Sequence, residues 1–321
     1  MITQLQIEYF LAINETKNIS RAAKQLLIAP QTLSRSLESI ERDLNARLFE
    51  RGTPLALTDS GRIFLSYAQE MVDKRNNLVS AVNDITGNIC GTIRLGISYN
   101  RSPVLLPETI SEFETRYPKI DFFIFEGNQS EIKHALLTRK IDLAVEHIPF
   151  GEPGLVEEAI LSDQLYLLIP KELLTQHFGE RAAAVWDELR RGKSISILEN
   201  LPFLLNKRGN SIRSIMESIF RQEQMQPLIS TETENMETLF NMSVIGRGVT
   251  VYPGAFLSKS KLEPYMDVLH IARVPHKMAN FTLGVAYRKG YYLSQASRDF
   301  IELLKCHARR KIQDLAADLM V

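Results

Sequence analysis

The chain has 321 residues, enough for two or three domains with sizeable cores. Its 45% hydrophobic and 24% charged residues are a globular balance, and stretches such as Leu165–Pro170 and Phe203–Leu205 are far too short to span a bilayer. Thirty-eight basic residues match thirty-eight acidic ones, so net charge alone advertises no polyanionic partner. Cys90 and Cys306 are the only cysteines, which implies no disulfide framework and fits a reducing compartment. The opening Met1-Ile2-Thr3-Gln4-Leu5-Gln6 lacks a basic segment followed by an apolar run, so no secretory signal is predicted and the expected location is the cytoplasm.

Leu5, Tyr9, Phe10 and Ile13 recur at helical spacing and predict a first amphipathic helix. Asn18-Ile19-Ser20 interrupts the pattern, and Ser20 is the predicted cap of a short helix running to about Leu27. Pro30 suits the first turn of a third helix, with apolar residues at Leu33, Leu37, Ile40 and Leu44. Successive steps of about 100° set Gln31, Arg35 and Arg42 on the opposite face. A short helix, a tight turn and a longer helix with a polar outer face form a helix-turn-helix, whose second helix enters the major groove of DNA. Gln31, Thr32 and Arg35 are the candidate base readers, because Gln fits the edge of adenine and Arg that of guanine. Ser34, Ser36 and Arg51 are candidates for phosphates. An ordinary three-helix core with a solvated polar face fits the same spacing. Residues 1–58 carry seven Lys/Arg against six Asp/Glu, so DNA affinity would need a few well-placed cations and more than one copy per site. The segment Leu48-Phe49-Glu50-Arg51-Gly52-Thr53-Pro54-Leu55-Ala56-Leu57-Thr58 reads as a tight hairpin, a wing.

The run Phe10…Ser20-Arg21-Ala22-Ala23…Leu26…Leu33-Ser34-Arg35…Leu37…Ile40-Glu41…Leu44…Leu48-Phe49…Arg51…Leu57-Thr58…Gly61 resembles the DNA-binding signature of LysR-type transcriptional regulators. It extends over about sixty residues in one register, with Pro30 and Asn45 where such proteins often have Gln and Gly. The resemblance implies an α/β protein with an N-terminal winged helix-turn-helix over residues 1–58 and a linker and dimerisation helix with a hinge over 59–90. A two-lobed, periplasmic-binding-protein-like (type 2) effector domain would cover 91–321. It adds Ser20, Arg21, Arg42 and Thr53 to the candidate DNA contacts. It also implies double-stranded DNA with dyad symmetry as a partner, a small-molecule effector, and a homo-oligomer built as a dimer of dimers.

Thr58 is the predicted cap of a helix from Asp59 to about Ile85, about 40 Å long at 1.5 Å per residue. Phe64, Ala68, Met71, Arg75, Leu78, Val82 and Ile85 alternate four and three apart, the seam of a helix that associates with another helix. Packing against its own domain is the other reading of that seam. Gly87-Asn88-Ile89-Cys90-Gly91 forms a hinge, where Cys90 reads as a small buried or neutral residue.

Beyond residue 91, strands are predicted at Ile93–Ile97, Ile120–Phe125, Ile141–Val145, Leu165–Ile169, Phe203–Leu205, Leu228–Thr231, Val249–Tyr252 and Phe281–Tyr287, alternating with helices. That order indicates a mainly parallel α/β sheet. The lobes are predicted as 91–147 with 268–321, and 148–267, with chain crossings near His147–Glu152 and Leu262–Ile271. Ligands of open α/β sheets bind beyond the C-terminal strand ends, where helix N-termini present free N–H groups. Ser98, Asn100, Arg101 and Ser102 occupy one such position; Gly127, Asn128 and Gln129 another; Asn206, Arg208, Asn210 and Ser211 a third. His147 lies at a predicted crossing. Arg101 and Arg208 suit a small anion, although each of these residues also fits a cap or turn. The segment 180–196 and the helical tail after Cys306 have no assigned role.

Gly96-Ile97-Ser98-Tyr99-Asn100 lacks the final Gly of a nucleophile elbow, and Gly246-Arg247-Gly248 lacks a third Gly at dinucleotide spacing. The six His residues are scattered, without metal-ligand spacing. Neither a catalytic site nor a cofactor is predicted. A solute receptor and an enzyme on the two-lobed fold are the competing readings; residues 1–58 argue against the first, the missing constellation against the second.

Overall fold

The first three helices take their bounds from local chemistry. In the computed structural model, which describes residues 2–50, 52 and 54–318 but not the side chains of 259 and 311–318, α1 spans Gln4–Thr16. Thr3 and Gln6 close a capping box at its start. Helix α2 spans Ile19–Gln25 and is capped by Asn18, whose Oδ1 accepts the Arg21 amide at 3.0 Å. Ser20, expected as that cap, lies inside the helix, because Asn18 reaches the free N–H groups two residues earlier. Helix α3 spans Pro30–Leu44 with Pro30 in its first turn, and its N-cap, Ala29, offers no side-chain acceptor. The apolar stripe is buried at Leu33, Leu37 and Ile40, while Leu44 is 41% exposed.

Strands β1 (Phe49–Glu50) and β2 (Ala56–Leu57) pair antiparallel as the wing. Phe10 is fully buried and meets the rings of Phe49 and Phe64 at 5.2 and 4.6 Å, which joins the wing and the next helix to the tri-helical core. Burial of one such ring contributes roughly 1.5–3 kcal/mol. Helix α4, Asp59–Thr86, begins where Thr58 Oγ1 accepts the Gly61 amide at 2.9 Å. Gly61 has no alternative: a Cβ there would lie 2.0 Å from the Leu48 carbonyl oxygen. Phe64, Leu65, Ala68 and Val72 pack on the core, whereas Met71, Leu78, Val79, Val82 and Ile85 are exposed. The chain divides into two compact units, Met1–Val82 and Asn83–Val321.

In the second unit, β3 (Gly91–Ser98), α5 (Ser102–Arg116), β4 (Ile120–Gly127), α6 (Gln129–Leu137) and β5 (Leu143–Ile148) alternate, with β3 parallel to β4 and β5. Strand β6 (Leu155–Pro170) follows, then α7 (Lys171–Phe178), α8 (Ala182–Arg190), β7 (Pro202–Asn206), α9 (Ser211–Gln222), β8 (Leu228–Thr233) and α10 (Met236–Val244). The chain continues through β9 (Val249–Pro253), α11 (Lys259–Leu262), β10 (Leu269–Arg273) and β11 (Asn280–Arg288) to α12 (Gln295–Asp318). The strand order is β4-β3-β5-β11-β6-β9-β7-β8, with β10 also on β6.

Separate buried clusters set off two lobes, lobe I having one on each face of its sheet. Leu95, Ile97, Phe113, Val145, Val285 and Phe300 belong to the core of lobe I, and Leu167, Phe203, Met216, Phe240, Val251 and Leu269 to that of lobe II. The crossings expected near His147–Glu152 and Leu262–Ile271 lie elsewhere. Residues 155–164 of β6 pair with β11 in lobe I, whereas 165–170 pair with β9 and β10 in lobe II. The first crossing therefore runs through the middle of β6, and the second joins β10 to β11 over residues 274–279. Residues 148–164 accordingly belong to lobe I and 268–273 to lobe II. One long strand serves both sheets, so no loop marks the boundary. Among the described residues no helix is long and apolar enough to cross a membrane.

Candidate nucleic-acid interface and inter-lobe cleft

Helix α3 presents Gln31 and Thr32 from its first turn and Arg35 one turn on, all exposed. Ser20 and Arg21 at the start of α2 are exposed as well, and Ser34 is half-buried. Arg42 is exposed too but lies eleven residues beyond Gln31, about 16 Å along the axis, which suits the DNA backbone rather than the same bases. Ser36 is the exception among the phosphate candidates. Its Oγ is buried without a hydrogen-bond partner, turned away from the solvent that a phosphate would replace. Arg51 and Thr53 lie outside the described residues.

In the second unit, strand ends of the two lobes converge. Arg101, at the start of α5, is buried; its Nη1 donates to Ser98 Oγ at 3.2 Å and to Glu146 Oε1. Glu146, 1% exposed on β5, also accepts from the His147 amide at 2.8 Å and from Ser211 Oγ at 3.2 Å. Ser211 opens α9 of lobe II, so the carboxylate of one lobe sits at a helix N-terminus of the other. Asn100 makes a second tie: its Nδ2 donates to the Glu234 carbonyl at 3.0 Å and its Oδ1 accepts the Met236 amide at 3.1 Å. Asn206 is buried, and its Oδ1 has no partner. Beside these ties a cavity of about 520 Å³ opens, walled by Tyr99, Val104, Glu234, Met236, Tyr252 and Lys261 among others.

The other candidates separate into two groups. Asn128 caps α6 in a capping box with Glu131, Asn210 caps α9, and Gln129 Nε2 donates to the His147 carbonyl at 3.1 Å; these are structural roles. Gly127 is buried where β4 ends, and Ser102 is half-buried in the first turn of α5. Burial, then the charge of Arg101, lowers the pKa of His147, so its ring is neutral at pH 7. Arg208 leaves the set. It is 84% exposed and reaches Glu217 at 3.4 Å, whereas Arg213, in the first turn of α9, is buried against Glu217, Glu232 and the Asn206 carbonyl. The pairing of Arg101 and Arg208 expected for an anion is thus absent: the first is neutralised by Glu146 and the second faces solvent. Arg208→Ala is accordingly expected to leave effector response within about twofold of the parent, measured by titrating effector against operator binding. A marked loss would return Arg208 to the site.

Sequence reasoning missed Glu146 and Asp163. The first was legible as the lone charge in Leu143-Ala144-Val145-Glu146, an otherwise apolar strand. Asp163, at the β6 crossing, accepts the Gln164 amide at 2.7 Å and the Ala255 amide at 3.2 Å. Burial pushes it up to about 6, against the pull of those amides and of Arg101. The folded chain then binds this proton more tightly than the unfolded chain, so stability falls as pH rises from about 4 to about 6. Asp163→Asn is expected to flatten that part of the profile of unfolding midpoint against pH. A slope unchanged by the substitution would assign it to another group. Among the described residues no grouping of His, Cys, Asp and Glu is placed to hold a metal ion. Cys306 is exposed, and so is Cys90, which the sequence suggested as buried or neutral; the hinge leaves its thiol uncovered.

A helix-turn-helix with a wing, a long helix and a two-lobed α/β unit define a regulatory DNA-binding protein with a ligand-sensing domain. Residues 5–62 match the family described as bacterial regulatory helix-turn-helix protein, lysR family, and residues 86–309 match the LysR substrate binding domain. The chain belongs to the LysR family of DNA-binding transcriptional regulators. It is 25% identical to the transcriptional dual regulator GltC of Bacillus subtilis over 93% of this chain and 95% of that protein. It is 27% identical to the transcriptional activator IlvY of Haemophilus influenzae over 89% and 94%. Among solved structures, a full-length OxyR variant of Pseudomonas aeruginosa superposes with a TM-score of 0.69 at 20% identity, over 96% of this chain and 98% of that one. Full-length CbnR complexed with its target DNA does so at 0.56 and 18%, over 97% and 100%.

Proposed function

We propose that this regulator works in the cytoplasm as a homo-oligomer, a dimer of dimers, that binds operators with dyad symmetry through paired winged helices. The observation that carries the reading is the exposed row Gln31, Thr32 and Arg35 on a helix whose opposite face is buried. Those three residues read bases, with Ser20, Arg21, Ser34, Arg42 and Arg51 holding backbone and Thr53 added by family resemblance. The effector lies between the lobes, beside Asn100, Asn206, Asn210, Ser211 and the 520 Å³ cavity. With Arg101 already neutralised, recognition there is by hydrogen bonds to a polar, uncharged group. An effector that favours one lobe arrangement must, by linkage, shift the affinity for DNA. The chain acts by binding, not by turnover.

Footprinting of the purified protein on the DNA upstream of its own gene, at stated salt, tests this. Protection over several helical turns around a dyad supports it; a folded oligomer with no sequence-preferred protection rejects it. The exposed apolar run Met71, Leu78, Val79, Val82 and Ile85 supports pairing of α4 between subunits. Leu78→Asp is expected to convert the oligomer to smaller species in sedimentation and to weaken operator binding at least tenfold, roughly 1.4 kcal/mol. Unchanged mass would place the dimer contact elsewhere.

A further inference from the structure

Helix α8 lies in the segment to which the sequence assigned no role. Its inner face buries Val185 and Leu189 in the lobe II core, and Gly192, with φ of +80°, turns the chain away after it. Trp186, the only tryptophan of the chain, is half-buried and stacks on the His270 ring of β10, with centroids 4.1 Å apart and planes 15° from parallel. Helix and strands do not close on each other. Between α8 and the β6–β10 pair remains a cavity of about 830 Å³.

Among the described residues, the wall of that cavity carries Lys171, Arg190, Arg191 and Arg273 and not one acidic side chain. Lys171 Nζ donates to the Met266 carbonyl at 2.8 Å, not to a carboxylate. Arg190 reaches Asp187 only at 3.5 Å, with both side chains about half exposed or more. Among the described residues neither Arg191 nor Arg273 has an ion-pair partner. Burial and the neighbouring Lys171 lower His270 to about 4, so it is a neutral aromatic surface at pH 7. Four permanent cations around one concavity focus a positive potential into it, and Arg forks match carboxylate and phosphate oxygens. None of these wall residues belongs to the inter-lobe cleft.

We propose that this cavity is a second small-molecule site, which takes a di- or polyanion bearing carboxylate or phosphate groups against the Trp186–His270 surface. The cations supply the affinity and the stacked rings the flat apolar wall. The two strands of its floor lead directly into both crossings between the lobes. This site stands whether or not the effector reading of the cleft holds.

Trp186 makes the site self-reporting. Full-length protein is titrated with citrate and with pyrophosphate at constant ionic strength, by tryptophan fluorescence and by calorimetry. Saturable binding of at least one probe is expected, weaker by about tenfold or more in Arg191→Ser/Arg273→Ser. Both arginines are exposed, and Arg191→Lys/Arg273→Lys should retain most of the affinity, which separates lost charge from lost fold. Preference for citrate or pyrophosphate distinguishes a carboxylate site from a phosphate site. No saturable signal by either method, or equal affinity in the Ser variant, overturns the proposal.

Discussion

Arg35→Ala is expected to abolish preference for the operator while leaving the protein folded and oligomeric. Arg35 is exposed on α3, so its removal opens no cavity and strands no buried partner. A bidentate Arg–guanine pair is worth about 1–3 kcal/mol of discrimination, and the proposed dyad operator would engage it at two half-sites. The combined loss is about 2–6 kcal/mol, roughly thirtyfold to twenty-thousandfold in operator affinity. Binding to unrelated DNA, which rests on phosphates, should fall far less. Electrophoretic shifts on operator and scrambled duplexes, at two salt concentrations, separate the cases. Equal losses on both duplexes with a shallower salt slope would mark Arg35 as a phosphate contact and leave base reading to Gln31 and Thr32.

Glu146→Ala is expected to cost the sensor unit about 3–5 kcal/mol, the penalty for breaking a buried ion pair by removing one partner. The truncation leaves the Arg101 guanidinium, the His147 amide and Ser211 Oγ without their shared acceptor. Replacing both ends, Arg101→Met with Glu146→Leu, should recover most of that loss, since desolvation of the pair offsets much of its attraction. The double variant would still lack the Glu146–Ser211 tie, though not that of Asn100, so its effector response should change although its stability returns. Urea unfolding followed through Trp186, which lies in this unit, reads the C-terminal transition separately from that of the DNA-binding unit. A loss below about 1 kcal/mol for the single variant would mean the pair is solvated and is no lock.

The local rules of helices made much of the N-terminal unit legible. Spacing of Leu33, Leu37 and Ile40 determined which face of α3 is buried, and hence that Gln31, Thr32 and Arg35 face out. Thr58 was readable too as a cap, whereas the need for Gly61 beneath the Leu48 carbonyl emerged only with the fold. Ser20 and Asn18 are equally good caps by type, and which one engages depends on the phase at which the chain enters the helix.

The cleft was legible only as a list of strand ends. Arg208 and Arg213 are five residues apart and alike in sequence terms, yet one is solvated and the other buried among two carboxylates. Arg101 meets Glu146 forty-five residues on, and Ser211 reaches the same carboxylate from the other lobe. Period-two patterning says that β6 is a strand but not that its halves pair with different sheets, so the crossing inside it was invisible. The sequence by itself determined the family, the helix faces and the order of elements, because these depend on neighbours within about a turn of the chain. Tertiary structure alone decided which charges are neutralised across the lobes and which stay open around α8, because burial and pairing depend on residues far apart in the chain.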